Sequence, residues 1–168
     1  IISDVATAEV NDEELNDAEM LSMLQQFLVA GNETTTKLLT NLIHRLAVDS
    51  ELEDKLRSNP DLIDNFIEEG LRYEAPVGGL FRMAKEDTQV NDIEIKAGDH
   101  LWVIYAAANR DPAIFDNPDD FLVDRENARE HLAFGHGEHY CIGALLARKE
   151  ARIAIQLLLA NIENIQLV

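Results

Sequence analysis

Residues 134–143 read Phe-Gly-His-Gly-Glu-His-Tyr-Cys-Ile-Gly and contain Cys141, the only cysteine of the 168-residue chain. Glycines surround this cysteine, and a strongly apolar stretch follows it from Ala144. Glycine accepts a positive φ and lets another group approach the backbone closely. A thiolate just before a helix start also lies near unpaired N–H groups and the positive end of the helix dipole, which stabilise an anion. The stretch therefore predicts a loop that presents one sulfur as an anionic ligand.

This loop resembles the haem-binding loop of the cytochrome P450 superfamily, whose pattern is Phe-x-x-Gly-x-x-x-Cys-x-Gly. The four fixed positions are filled here by Phe134, Gly137, Cys141 and Gly143. The resemblance implies that Cys141 is the axial thiolate ligand of the iron in haem b, as it is for that family. It also implies that these residues and Gly135 shape the cofactor loop, and that His139 bonds a haem propionate.

Two other interpretations of the cysteine stay open on sequence alone. A lone cysteine is most often a small buried hydrophobe. His136, His139 and Cys141 are also closely spaced residues of the types that bind zinc. A structural zinc site needs four ligands at recurring spacings, and the sequence offers no second Cys/His pair elsewhere, so haem is favoured over zinc.

A long helix is predicted over residues 17–48, capped by Asn16 or Asp17. Its middle, residues 30–36, reads Ala-Gly-Asn-Glu-Thr-Thr-Thr, although glycine inside a helix costs about 1 kcal/mol relative to alanine. Small residues there let a flat ligand lie against the backbone, and a threonine hydroxyl can bond a helix carbonyl. A simple kink without chemistry is the alternative.

This stretch resembles the Ala/Gly-Gly-x-Asp/Glu-Thr signature of the helix that crosses the haem in the same family. The resemblance implies that Ala30 lies against the cofactor. It also implies that Glu33 and Thr34 are the catalytic acid–alcohol pair that delivers protons during oxygen activation.

The pattern Ser50-x-x-Glu53 predicts a capping box for a short helix that ends near Ser58. A further helix is predicted over residues 59–74, and it carries Glu69 and Arg72 on one face. Taken alone, this is an ordinary surface ion pair worth less than about 1 kcal/mol. The pair also matches the Glu-x-x-Arg motif of the family, and the resemblance implies a structural lock to Arg125 behind the haem. Gly70, between the two, is unfavourable for a helix and has no explanation from sequence.

Four short strands are predicted within residues 80–105: Leu80–Ala84, Thr88–Val90, Ile93–Ile95 and Leu101–Tyr105. The resemblance implies that Val77, Gly78 and Leu80 line the substrate pocket. It also implies that Arg82 bonds a haem propionate; the alternative for Arg82 is a solvated strand residue. A meander over residues 106–133 then leads to the cysteine loop.

The last predicted helix covers residues 144–161. Its apolar residues predict deep burial, and they are Leu145, Leu146, Ile153, Leu157 and Leu158. Arg148, Lys149 and Arg152 on the same helix form a basic patch that suits an acidic electron donor, or they are ordinary solvated charges.

The formal net charge is −18, and seven of the acids lie between Asp4 and Glu19 with no Lys or Arg among them. So acidic a chain argues against nucleic acid or an anionic membrane as a partner. A single cysteine excludes an intrachain disulfide, which favours a reducing, cytoplasmic location. No apolar run is long enough to cross a bilayer, and no signal peptide is visible.

The predicted fold is therefore mainly α with a small β unit. The resemblance implies that residues 1–168 form the C-terminal part of one cytochrome P450 catalytic domain, truncated at both ends. Residues 1–16 are expected to form an acidic lead-in, either extended or as a frayed helix end. The resemblance implies a monooxygenase that inserts one oxygen atom from dioxygen into a small apolar substrate. It also implies that an iron–sulfur or flavin protein supplies the electrons. The alternative is a non-catalytic haem-binding module or an inactive fragment. In this partial fold, the first long helix and the last helix are expected to expose apolar faces.

Overall fold

A computed structural model describes residues 2–10 and 13–167 of the protein. Its helices are α1 (Ile2–Ala6), α2 (Asp17–Val48), α3 (Ser50–Ser58), α4 (Ile63–Tyr73), α5 (Tyr105–Ala108) and α6 (Ala144–Asn161). Its strands are β1 (Glu9–Val10), β2 (Glu13–Glu14), β3 (Leu80–Met83), β4 (Thr88–Val90), β5 (Ile93–Ile95) and β6 (His100–Val103). The predicted fold class, mainly α with a small β unit, is confirmed.

The strands form three separate antiparallel pairs, β1 with β2, β3 with β6, and β4 with β5. The predicted strand 101–105 is displaced, because the chain pairs from His100 and turns into α5 at Tyr105. The predicted lead-in instead contains a short helix and a hairpin, and residues 1, 11 and 12 lie outside the described ones. No described helix has the length and apolar character that crossing a membrane requires.

The helix starts follow local capping chemistry. The Asn16 side chain accepts the N–H groups of Ala18 and Glu19 at 3.0 and 3.1 Å, and the Glu19 carboxylate accepts the Asn16 N–H at 3.0 Å. The box predicted at Ser50 is wrong, because Asp49 caps α3 by accepting the Leu52 N–H at 3.0 Å. A carboxylate caps as well as a hydroxyl and also complements the helix dipole.

The core lies where α2, α3, α4 and α6 meet. Its buried members from these helices are Leu38, Leu42, Leu46, Leu52, Leu56, Ile63, Phe66, Ile67, Leu71, Ala151, Ile155 and Leu159. A Cβ built at Gly70 would lie 2.4 Å from Cδ2 of Leu42, so a side chain at this position would overlap the Leu42 side chain of α2. This close approach explains the glycine inside α4.

The predicted burial of α6 is wrong for Leu145, Leu146, Ile153 and Leu157, which are exposed, while Leu158 is partly buried. The face that packs on the core carries Ala144, Ala151, Ile155 and Leu159 instead. Small alanines let α6 approach the core closely, and the larger leucines remain on the outer side. Leu21, Phe27 and Leu28 of α2 are exposed as well, so both helices present apolar surface as the sequence predicted.

Candidate functional site

The cysteine loop is closed by backbone hydrogen bonds. The Cys141 N–H donates to the Phe134 carbonyl at 2.9 Å, and the Tyr140 N–H donates to the Gly137 carbonyl at 3.0 Å. Gly135 and Gly137 have φ of 73° and 76°, a left-handed conformation that other residues adopt only with strain. The sulfur therefore sits two residues before the Gly143 N-cap of α6, at the end of a tight glycine-shaped turn.

Cys141 is exposed, so its interpretation as a buried hydrophobe is wrong. Among residues 2–10 and 13–167, no group of three or more His, Cys, Asp or Glu side chains is placed to hold a metal ion. The zinc alternative built on His136, His139 and Cys141 therefore has no ligand set in the described chain.

The surroundings of the sulfur fit a haem. Ile142, which follows Cys141, is 93% exposed, and Leu145, in the first turn of α6, is 82% exposed. A flat apolar macrocycle gains free energy by covering such surface, and one accessible thiolate is the ligand that haem-thiolate proteins supply. A Cβ built at Gly137 would meet no described atom within 4 Å, so the face of the loop is open.

Helix α2 runs without interruption through the unusual segment 30–36. The Thr34 hydroxyl donates to the Ala30 carbonyl at 2.7 Å, and the Glu33 carboxylate pairs with Lys37 at 2.9 Å. Ala30 and Glu33 are exposed and Thr34 is half-buried. A Cβ built at Gly31 would meet no described atom within 4 Å, which leaves open space beside this turn of the helix.

The remaining candidates lie on separate accessible elements. Arg82 is exposed on β3, and its guanidinium donates to the Phe81 carbonyl at 3.0 Å. His139 is exposed in the short 3₁₀ turn Gly137–His139. Val77 is half-buried, whereas Gly78 and Leu80 are exposed. Each side chain is thus available to a ligand, and their common site stays a prediction.

Glu69, Arg72 and Arg125 form one buried cluster. Arg72 donates to both carboxylate oxygens of Glu69 at 2.7 and 2.8 Å, and Arg125 Nε lies 3.1 Å from each oxygen. The Leu122 N–H adds a bond at 2.9 Å. The side chains of Glu69 and Arg72 are fully buried, so the interpretation as a surface ion pair is wrong.

The two guanidinium groups also bind the meander. Arg72 donates to the carbonyls of Asn109, Pro118 and Asp120 at 2.8–3.0 Å. Arg125 donates to those of Asp116, Asn117 and Asp120. Two cations and one anion leave a buried positive charge, and these carbonyl dipoles compensate it. The cluster thus anchors the irregular chain that precedes the cysteine loop to α4.

A second buried carboxylate, Glu68, was missed by the sequence reasoning. It accepts two hydrogen bonds from Arg148, at 2.7 and 3.0 Å, and contacts His131 Nε2 at 3.1 Å. Burial alone would raise the pKa of Glu68, but the hydrogen bonds from His131 and Arg148 outweigh burial and lower the pKa from 4.5 to about 2. The Glu68-Glu69 pair in one helix was the only signal, and it does not say which acid is buried.

The predicted basic patch is therefore wrong for Arg148, whose guanidinium forms a salt bridge with Glu68. Glu68 holds the pKa of Arg148 above its usual range. Arg152 also has an acidic partner, Asp64, at 3.2 Å. Lys149 is exposed. Two of the three cations are thus neutralised from α4, which weakens the case for an acidic partner on this face.

Comparison with known proteins agrees with this architecture. The family profile described as Cytochrome P450 matches residues 1–164. A Bacillus subtilis (strain 168) protein named Cytochrome P450 is 44% identical over 168 residues, covering 99% of this chain and 41% of that protein. The structure of CYP109E1 from Bacillus megaterium in complex with testosterone gives a TM-score of 0.88 at 39% identity, over 94% of this chain and 44% of that one. The structure of P450BioI in complex with hexadec-9Z-enoic acid ligated acyl carrier protein gives a TM-score of 0.84 at 44% identity. It covers 88% of this chain and 38% of that one.

The mainly helical fold with three small antiparallel strand pairs matches the folds of these structural neighbours. The chain belongs to the cytochrome P450 family, which confirms the family predicted from the sequence. It spans about two fifths of the length of the curated relatives it matches.

Proposed function

We propose that the intact protein is a haem-thiolate monooxygenase that inserts one oxygen atom from dioxygen into a small apolar substrate. The observation that carries the proposal is the exposed Cys141, held before α6 by two glycines with positive φ. Membership of the family supports oxidoreductase chemistry in general terms. The reaction of the whole protein is inferred from this part of it.

In this proposal the Cys141 sulfur would be the thiolate ligand that holds the iron of haem b. Phe134, Gly135, Gly137 and Gly143 shape the loop beneath it, and Ala30 of α2 presents a small surface to the cofactor. Arg82 and His139 hold the two propionates; a guanidinium in particular suits a carboxylate. The haem supplies the oxygen-activating redox chemistry, while the protein supplies placement and the electrostatic field.

Thr34 and Glu33 are proposed to manage protons on α2. The Thr34 hydroxyl proton is engaged with the Ala30 carbonyl, so the lone pairs of its oxygen remain free to accept a hydrogen bond from a bound molecule. Delivery of a proton requires this hydroxyl to rotate away from Ala30. Glu33 is exposed beside Lys37 and can exchange protons with solvent, as a general acid must between turnovers.

The proposed substrate is apolar and contacts Val77, Gly78 and Leu80. Two structural neighbours were solved with a steroid and with an acyl chain attached to its carrier protein, and these ligands support an apolar substrate class here. An electron-donor protein of the iron–sulfur or flavin type is the proposed redox partner. A cytoplasmic location is proposed from the single cysteine.

A non-catalytic haem-binding module, or an inactive fragment, is the second candidate. The apolar faces that α2 and α6 expose favour it, because these faces are open to solvent in the described chain.

Haem reconstitution of the chain distinguishes the two candidates. The catalytic proposal predicts haem uptake, a thiolate-type spectrum and oxidation of an apolar probe with peroxide as surrogate oxidant. Haem uptake with no turnover by the chain supports the binding module. Conversion of Thr34 to Ala is expected to lower turnover and to leave the haem spectrum unchanged.

A further inference from the structure

We propose that Glu68 is a positioning residue for the cysteine loop, because one buried carboxylate holds both ends of that loop through two different side chains. Glu68 projects from α4, and only 2% of its surface is exposed. His131 links Glu68 to Ala133, directly before the loop, and Arg148 links Glu68 to Tyr140, the residue before Cys141. The proposal rests on the proposed function only for the ligand role of Cys141.

The His131 route follows from the hydrogen-bonding capacity of an imidazole. The Ala133 N–H donates to His131 Nδ1 at 3.1 Å, so Nδ1 carries no proton. The ring proton is therefore on Nε2, which donates to Glu68 Oε2 at 3.1 Å. The Ala133 N–H and Glu68 thus set the tautomer together, and Glu68 fixes the orientation of the ring from its Nε2 side. The oriented ring in turn holds the amide of Ala133, the residue directly before Phe134.

The Arg148 route reaches the other end of the loop. Nε and Nη2 bind the two oxygens of Glu68, which fixes the plane of the guanidinium. That plane lies over the Phe134 ring, with Cζ at 4.6 Å from the ring centroid, and Nη1 donates to the Tyr140 hydroxyl at 3.3 Å. Phe134 and Tyr140 flank the loop, and the Phe134 carbonyl accepts the Cys141 N–H.

The two routes meet at the hydrogen bond between Cys141 and Phe134, which closes the loop and orients the sulfur. A carboxylate can accept from Arg148 and His131 together, because it has only acceptor sites. An amide of the same size cannot, since its NH₂ group would face one of the two donors. Glu68→Gln therefore breaks one route at least, while the helix and its volume are kept.

Amide hydrogen exchange, measured by NMR on the full 168-residue chain, tests this directly. We expect the Cys141 amide to exchange about tenfold faster in Glu68→Gln, as loss of a hydrogen bond to a charged group predicts, relative to core amides such as Ile155. Asp64→Asn is the matched control, because Asp64 joins the same two helices through Arg152 but its side chain is only half-buried. It should change the Cys141 rate less than about twofold.

Arg148→Lys is the second variant and retains a cation at this position. It should accelerate exchange at Cys141 and leave Ala133 protected, because the His131 route remains intact. The proposal is overturned if Cys141 and core amides accelerate by the same factor, since Glu68 would then contribute only to global stability. An unchanged Cys141 rate in both variants overturns it as well.

The exchange experiment gives a different result when the positioning role fails than when the proposed monooxygenase function fails. Faster loop exchange in a chain that binds no haem supports the positioning role and contradicts the monooxygenase proposal. A haem-bound chain whose thiolate-type band and loop exchange are unaffected by Glu68→Gln supports the monooxygenase proposal and overturns the positioning role.

Discussion

Replacement of Glu69 by Gln removes the only anion of the buried Glu69–Arg72–Arg125 cluster. The carboxylate accepts both Nε–H and Nη2–H of Arg72, the Nε–H of Arg125 and the Leu122 N–H. The side chains of Glu69 and Arg72 have no exposed surface, and that of Arg125 is 4% exposed. After the substitution, two guanidinium charges share one buried site with only carbonyl dipoles to compensate them.

The expected destabilisation is about 3–5 kcal/mol, the usual cost of removing one partner from a buried ion pair. A domain of this kind is stable by about 5–15 kcal/mol, so the loss is a large fraction of the total. The six carbonyl contacts of the two arginines hold the meander, and we expect that segment to loosen together with the cluster.

The assay is urea unfolding of the chain followed by far-UV circular dichroism, with the free energy obtained by linear extrapolation. Asp119→Asn is the control, because it breaks the Arg110–Asp119 pair, which has the same short distance of 2.8 Å but an exposed carboxylate. The control should cost less than about 1 kcal/mol. If Glu69→Gln costs no more than the control, the reasoning about the buried cluster is refuted.

Three further changes test other parts of the account. Gly70→Ala should destabilise the chain by about 1 kcal/mol in urea unfolding, because overlap with Leu42 costs about 1–3 kcal/mol and exceeds the helix-propensity gain of alanine. A smaller loss of stability in a Leu42→Ala background supports this cause, and an equal loss contradicts it. The pKa of Glu68 is lowered from 4.5 to about 2 in the folded chain, so its contribution of about 3 kcal/mol is present above pH 4.5 and is lost as the pH falls toward 2. Stability measured across that range should decline less steeply in Glu68→Gln, and an identical slope would exclude this carboxylate as the source. Gly137→Ala forces a side chain into φ 76° and should lower stability by about 1–2 kcal/mol, measured by thermal unfolding, whereas an unchanged midpoint argues against a strained loop.

Local chemistry made part of this structure predictable. The cysteine loop needs only its glycines and its position before a helix, and both are visible in ten consecutive residues. The cap at Asn16 follows from hydrogen bonds within one turn. The strand pair β4–β5 follows from a short turn at Asn91, whose φ of 49° is tolerated by asparagine.

Long-range packing decided what could not be predicted. The apolar residues of α6 do not reveal which side meets the core, and the buried side proved to carry alanines while Leu145 and Leu157 face outward. The sequence predicted a free cation at Arg148, because its partner, Glu68, lies 80 residues earlier in the chain. Gly70 had no local reason, since its constraint comes from Leu42 on another helix.

The ligand role proposed for Cys141 is donation of its sulfur to a haem iron. The most direct measurement is the absorption spectrum of the haem-reconstituted, reduced chain under carbon monoxide, compared with Cys141→Ser. The account predicts the red-shifted Soret band of thiolate ligation in the unsubstituted chain and its loss in the variant. A variant that keeps this band, or an unsubstituted chain that binds haem without it, would contradict the account.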